Sequence, residues 1–217
     1  QFHDAEQPNL QLAMLFHQQN IIEELYNFKN WFLISMNNTY DYGLATDITS
    51  TSDSGWVDSA AVQAHWSAEQ TYDYFKSVHG RDSYDGLGSP IYSFVHAGVN
   101  YVNAFWDGSR MTYGDGDGVN YGPLVSLDIV GHEITHGLTS HTAQLEYLNE
   151  SGALSESFSD IFGLAIDFYA NPSTANYLMG EQIYLDGTSY MRNIAHPKSD
   201  FQPNTYQGDF WKYGFSD

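Results

Sequence analysis

The clearest period in the chain begins at Asp58. In DSAAVQAHWSAEQTYDYFKSVHG the apolar and aromatic positions Ala61, Val62, His65, Trp66, Ala68, Tyr72 and Phe75 recur at helical spacing, after an Asp/Ser start and before Gly80. A capping oxygen at one end and a residue free to take positive φ at the other predict an amphipathic helix over about 58–79. Upstream, LQLAMLFHQQNIIEELYNF (10–28) is apolar at mixed spacing and can hold a helix, whereas 37–55, rich in Asn, Asp, Ser, Thr and Gly, reads as loop. Downstream, between Ser89 and Gly122, IYSFVHAGVNYVNAFWDG and RMTYGDGDGVNYG alternate and are punctuated by Gly and Asp, as hairpins are. Two helical runs follow, at 128–144 and about 153–170; in the second, Leu154, Phe158, Ile161, Phe162, Ala165 and Ile166 form an apolar side. The order predicts a mainly β first part over 1–122 and a helical part over 123–217.

Composition narrows the classes. The 217 residues are 42% hydrophobic, enough for a real core, and no apolar run approaches the ~20 residues of a membrane helix. With 27 acidic against 7 basic residues the net charge of −20 repels nucleic acid and anionic lipid and favours cations such as calcium. The absence of cysteine removes disulfides, thiolate metal sites and thiol nucleophiles together.

Within DIVGHEITHGLTSHTAQ, His132 and His136 lie four residues apart, on nearly one face of a helix turning 100° per residue, so two imidazoles can reach one metal. Glu133 sits beside them, placed to take a proton from water rather than to ligate. With nine His and nine Glu, chance alone gives His-Glu-x-x-His about 0.015 times in this chain, which leaves the motif informative but in need of a third ligand. Twenty residues beyond His136, NESGALSESFSDIFGLAIDFY carries Glu156 and, four residues on, Asp160. One carboxylate can complete a His₂Glu site, and the other can accept the free N–H of an imidazole and fix its tautomer. By itself such a Glu/Asp pair is more often a solvated helix face.

GHEITHGLT and NESGALSESFSDIFG, preceded by NAFWDGSRMTYGDGDG, resemble the thermolysin family of zinc endopeptidases, from about Trp56 to about Pro197. The resemblance implies an α+β fold of the zincin type, zinc on His132, His136 and Glu156, Glu133 as general base, and Asp160 behind His132. It implies that Tyr147 hydrogen-bonds the tetrahedral intermediate and that Asn103 and Ala104 lie on the edge strand that holds peptide. Leu124, Ile129, Met179 and Met191 would form an apolar pocket beside Arg192, favouring cleavage before bulky apolar residues. Asp128, Asp167 and Glu181 match acidic ligands of the family's calcium site. Asn176 replaces a further aspartate, which points to one calcium rather than two.

YGDGDGVNYG fails as an EF-hand, since Val119, Asn120 and Ser126 stand where a ligand, the turn glycine and the bidentate Glu belong; a tight Gly/Asp turn accounts for it. The stretch up to about Asn37 does not read like the family's strand-rich start. Residues 123–217 are expected to hold the zinc-binding helices and only the start of a C-terminal helical domain, truncated at Asp217, leaving apolar helix faces for a downstream segment or a second chain to cover. Three functions stay open: a secreted, calcium-stabilised zinc endopeptidase acting on polypeptides, whole or as an incomplete fragment; a non-catalytic zinc and calcium protein of the same fold; and a calcium-dependent binding module. Glu133, of no use to a structural zinc, favours the first over the second, and the lack of an Asp/Asn-rich repeat counts against the third.

Overall fold

A polar cap on the first long helix and small-residue stripes on the helices set how they start and pack. A computed structural model describes residues 31–35, 46–48 and 58–211; the helix expected over 10–28 lies outside them. Strands β1 (Trp31–Ser35) and β2 (Thr46–Asp47) precede helix α1 (Ser59–His79). Asp58 caps α1, its Oδ1 accepting from Ala61 N–H at 3.0 Å, and Gly80 ends it at φ 65°. Strands β3 (Ile91–Ala97), β4 (Ala104–Trp106) and β5 (Met111–Gly114) follow, then helices α2 (Leu127–Ser140) and α3 (Asn149–Ala170). A small hairpin of β6 (Leu178–Met179) and β7 (Arg192–Asn193) closes the described part, with 3₁₀ turns at Glu181–Ile183 and Pro197–Asp200.

The main sheet has the order β2-β1-β3-β5-β4. Strands β1, β3 and β5 run parallel, while β2 and β4 pair antiparallel at the edges. A parallel neighbour requires a crossover, and α1 occupies the connection between β1 and β3. Two expectations are corrected here. Trp31–Ser35 is a strand although the stretch before Asn37 lacks a strand-rich pattern, and Thr46–Asp47 is a short edge strand inside the segment read as loop. Both get their hydrogen bonds from other strands of the sheet, which local composition does not report.

The core lies between α1, the sheet and α2. Ala60, Ala61, Ala64 and Ala68 of α1 meet Ile91, Val95, Met111 and Tyr113 of the sheet and Val130 and Ile134 of α2. The larger residues Val62, His65, Trp66 and Tyr72 are only half-buried, so α1 approaches by its smallest side chains.

The same inversion is sharper in α3, where it corrects half of the expected apolar side: Ile166 is buried and Phe162 packs against its cluster, but the first three members are turned outward. Leu154, Phe158 and Ile161 are 45%, 38% and 50% exposed, while Gly152, Ser155, Ser159, Asp160, Gly163, Leu164, Ile166 and Asp167 are buried. The reason is the neighbour. A Cβ on Gly163 would stand 2.5 Å from the Asp128 carbonyl oxygen, so only a stripe of small residues lets α3 lie this close to α2.

Candidate metal centre

Helix α2 is buried on nearly every side, from Leu127 to Thr139, which is why a segment with two glycines stays helical: packing rather than propensity holds it. His132 and His136 project from it toward α3. His132 Nε2 lies 3.1 Å from His136 Nε2 and 3.1 Å from Glu156 Oε2, and His136 Nε2 lies 3.3 Å from Glu156 Oε1. An ion held at about 2.0–2.2 Å from each corner of a tetrahedron has ligand–ligand edges of about 3.3–3.6 Å, close to these separations. Two imidazole nitrogens facing each other and a carboxylate at that spacing therefore fit a zinc-sized dication. Among the described residues, this is the group of three whose candidate ligand atoms all lie within 4.8 Å of one another.

The surrounding groups orient the trio. Asp160 Oδ1 accepts from His132 Nδ1 at 2.8 Å. The Arg192 guanidinium grips the same carboxylate through Nε (2.7 Å) and Nη2 (2.6 Å). Burial opposes the charge on Asp160, but His132 and Arg192 outweigh it and hold the carboxyl below its ordinary range. Burial likewise works against the His132 cation, yet its bonds to Asp160 and Glu156 raise the imidazole pKa to about 9. Glu156 is driven well below the carboxylate range: burial pushes it up, and the two histidines and Tyr147 more than reverse this. The Tyr147 hydroxyl donates to Glu156 Oε1, and desolvation first, then this bond, raises its own pKa far above 10.

Glu133 is 7% exposed. Burial lifts its pKa, opposed by the charges of His132 and His136, and Glu156 adds to the rise. It borders a cleft of about 680 Å³ between β4, α2, the start of α3 and the Tyr184–Arg192 segment. Of the residues singled out in the sequence, Asn103, Ala104, Leu124, Ile129, His132, Glu133, His136, Tyr147, Glu156, Met191 and Arg192 line this cleft.

Two do not. Met179 is fully buried, packed with Leu124, Ile129 and Ile183 behind the wall, which corrects its expected place as a pocket residue. Asp160 stands behind His132 rather than in the cleft. Trp106, Tyr121, Ile183, Tyr184 and Ser155 also line the cleft and were not singled out. Tyr121 is brought in by its bridge to Tyr184, a long-range pairing without a local signal.

The second acidic group is looser. Asp128 Oδ1 accepts from Ser126 Oγ at 2.6 Å and from Ile129 N–H at 2.8 Å, and its Oδ2 accepts from Gly180 N–H. Burial, and then the Asp128 charge, raise the pKa of Asp167 and of Glu181. Asn176 Nδ2 donates to Glu181 Oε1 at 3.0 Å. The Gly/Asp turn is confirmed as a turn, with the Asp117 carboxylate accepting from the N–H groups of Val119, Asn120 and Tyr121.

Residues 13–140 match the catalytic-domain model of the thermolysin metallopeptidases, and 143–215 match the model of their α-helical domain. Bacillolysin of Brevibacillus brevis is 51% identical over 158 residues, covering 71% of this chain and 29% of the relative. Thermolysin of Alicyclobacillus acidocaldarius subsp. acidocaldarius is 49% identical over 152 residues, covering 69% and 28%. The solved precursor of protealysin, a metalloproteinase from Serratia proteamaculans, aligns at TM-score 0.63 and 29% identity over 83% of this chain and 61% of that one. The chain spans under a third of the length of these curated relatives.

These matches widen the resemblance beyond Trp56–Pro197 at both ends, and the match over 143–215 means that the helical domain is not wholly lacking from the chain. That domain's model begins at 143, so α3, whose small-residue face seals the metal centre, already belongs to it. With the catalytic-domain match covering more than half of the residues, the chain belongs to the thermolysin metallopeptidase family.

Proposed function

We propose that this chain carries the catalytic centre of a zinc-dependent endopeptidase that cuts polypeptides before bulky apolar residues. The observation that carries the proposal is the convergence of His132, His136 and Glu156 on one point of a cleft wall, with a buried carboxylate, Glu133, next to it. Zinc held by those three residues supplies a Lewis acid for the peptide carbonyl and lowers the pKa of a bound water towards ~7. Glu133, with its proton affinity raised by burial, accepts the water's proton and delivers it to the leaving amine. Tyr147, whose hydroxyl stays protonated, donates to the oxygen on which negative charge develops. Asn103, just before β4, and Ala104, its first residue, offer peptide an edge strand, since among the described residues β4 pairs with β5 alone. Leu124, Ile129 and Met191, with Met179 shaping them from behind, offer an apolar seat for the residue after the cut, bounded by Arg192. Burying a Leu or Phe side chain there is worth about 1.5–3 kcal/mol.

Asp128, Asp167 and Glu181 are proposed to hold one calcium, which would offset the burial, and then the charge of Asp128, that raise the last two. Asn176 contributes an amide already bonded to Glu181 instead of a further charge. The proposed division of the chain near residue 122 separates the sheet and α1 from the helices of the centre. Secretion is proposed from the resemblance and the acidic surface; among the described residues no helix is long and apolar enough to cross a membrane.

Metal analysis of protein purified without added metal, followed by digestion of an unfolded protein, tests the proposal. About one zinc per chain and cuts before Leu, Ile or Phe are expected. Zinc retained in full by His136→Ala, or cuts mainly beside charged residues, would contradict it.

A further inference from the structure

The two histidines are oriented by unequal partners. His132 hands its Nδ1 to a buried carboxylate that Arg192 braces in turn. His136 has only a neutral one: its Nδ1 lies 3.3 Å from Ser155 Oγ. Ser155 is 4% exposed and precedes Glu156 directly on α3, so one turn of helix carries both the third member of the trio and a group facing the back of His136. A His136 that offers Nε2 toward Glu156 must keep its proton on Nδ1, and that N–H needs an acceptor in a place with little water.

We infer that Ser155 is the positioning residue for His136: its hydroxyl oxygen accepts the Nδ1–H, selecting the tautomer with a free Nε2 and fixing the ring's plane toward Glu156. The inference rests on the metal-centre proposal and deepens it. His136 is then the more loosely set of the two imidazoles, and the side chain at 155 governs how firmly the centre holds its ion. Ser159, one turn further on the same face, supplies an internal comparison. It is fully buried, but its hydroxyl has no hydrogen-bond partner, so it shares the burial of Ser155 and lacks the contact.

The test compares the full chain with Ser155→Ala, Ser155→Thr and Ser159→Ala. The readouts are zinc affinity by competition with a chromophoric chelator and the tautomer of His136 by ¹⁵N NMR of the imidazoles. Removing such a partner of a metal-ligating histidine typically weakens metal binding by about 10–100-fold. That loss is expected for Ser155→Ala, together with a smaller share of the Nδ1–H tautomer at His136 and an unchanged His132. Ser155→Thr, which keeps the hydroxyl, should restore both, and Ser159→Ala should change neither. A parent chain that binds no zinc overturns the metal centre and this inference with it. Zinc bound by the parent and by Ser155→Ala with equal affinity, or weakened as much by Ser159→Ala, overturns the inference alone.

Discussion

Gly131 of α2 and Gly163 of α3 touch backbone to backbone: a Cβ built on Gly131 stands 3.2 Å from the Gly163 Cα, and one on Gly163 stands 2.5 Å from the Asp128 carbonyl oxygen. This crossing brings Glu156 within reach of the two histidines. Gly163→Ala must push the helices apart, because the obstacle is main chain, and should destabilise the fold by about 1–3 kcal/mol or more. Gly131→Ala also meets the movable tip of Ile166 at 2.8 Å and should cost less. Urea unfolding of both variants checks the order, and zinc affinity should fall with stability in Gly163→Ala.

Glu133→Gln keeps the shape of a buried side chain and removes its ability to take a proton. Fold and zinc content are expected to persist while peptide hydrolysis drops by about 10²–10⁴-fold. Comparable turnover in the variant would assign the base elsewhere.

Arg192 and Asp160 form a largely buried two-bond pair behind His132. Arg192→Met leaves a buried carboxylate with one partner fewer, and removal of one member of such a pair costs about 3 kcal/mol or more. Denaturant midpoints of Arg192→Met and of the double variant Arg192→Met/Asp160→Leu separate the pair's worth from the penalty of the stranded charge. The double variant should regain part of the loss.

His96 predicts a pH dependence away from the metal centre. It sits at φ 62° where the β3–β5 register shifts, and this turns its ring between Asp115 (Nδ1, 2.8 Å) and Asp58 (Nε2, 2.6 Å), the cap of α1. The hydrogen bond to Asp115 above all, aided by Asp58 and opposed by burial, raises its pKa from 6.5 to about 9. Below pH 6.5 the ring is charged folded or unfolded, and its contribution is complete. Between 6.5 and about 9 only the folded chain keeps the proton, so stability declines as pH rises and the contribution is gone above 9. The loss is on the order of 1–2 kcal/mol, less than the shift alone implies because solvent screens Asp115, whose side chain is 40% exposed. In His96→Asn, which tolerates the positive φ, this part of the decline should vanish. Urea midpoints of both proteins at pH 6, 7.5 and 9 measure it.

The sequence by itself determined which side chains share a helix face and where the first long helix begins and ends. The i, i+4 spacing of His132 and His136 puts two imidazoles on one helix face whatever the surroundings, and the Asp58 and Gly80 ends of α1 were legible because capping is local. Tertiary structure decided which helix faces point inward. Counting apolar residues put Leu154, Phe158 and Ile161 on the inner side of α3, but α2 lies close at Gly163 and the buried face there carries Gly152, Ser155, Ser159 and Gly163 among its members. The cleft's aromatic wall, the strand at Trp31–Ser35 and the retreat of Met179 into the core likewise depend on partners tens of residues away. Periodicity reports which residues share a face; the distance of the facing backbone decides whether large or small side chains can be buried there.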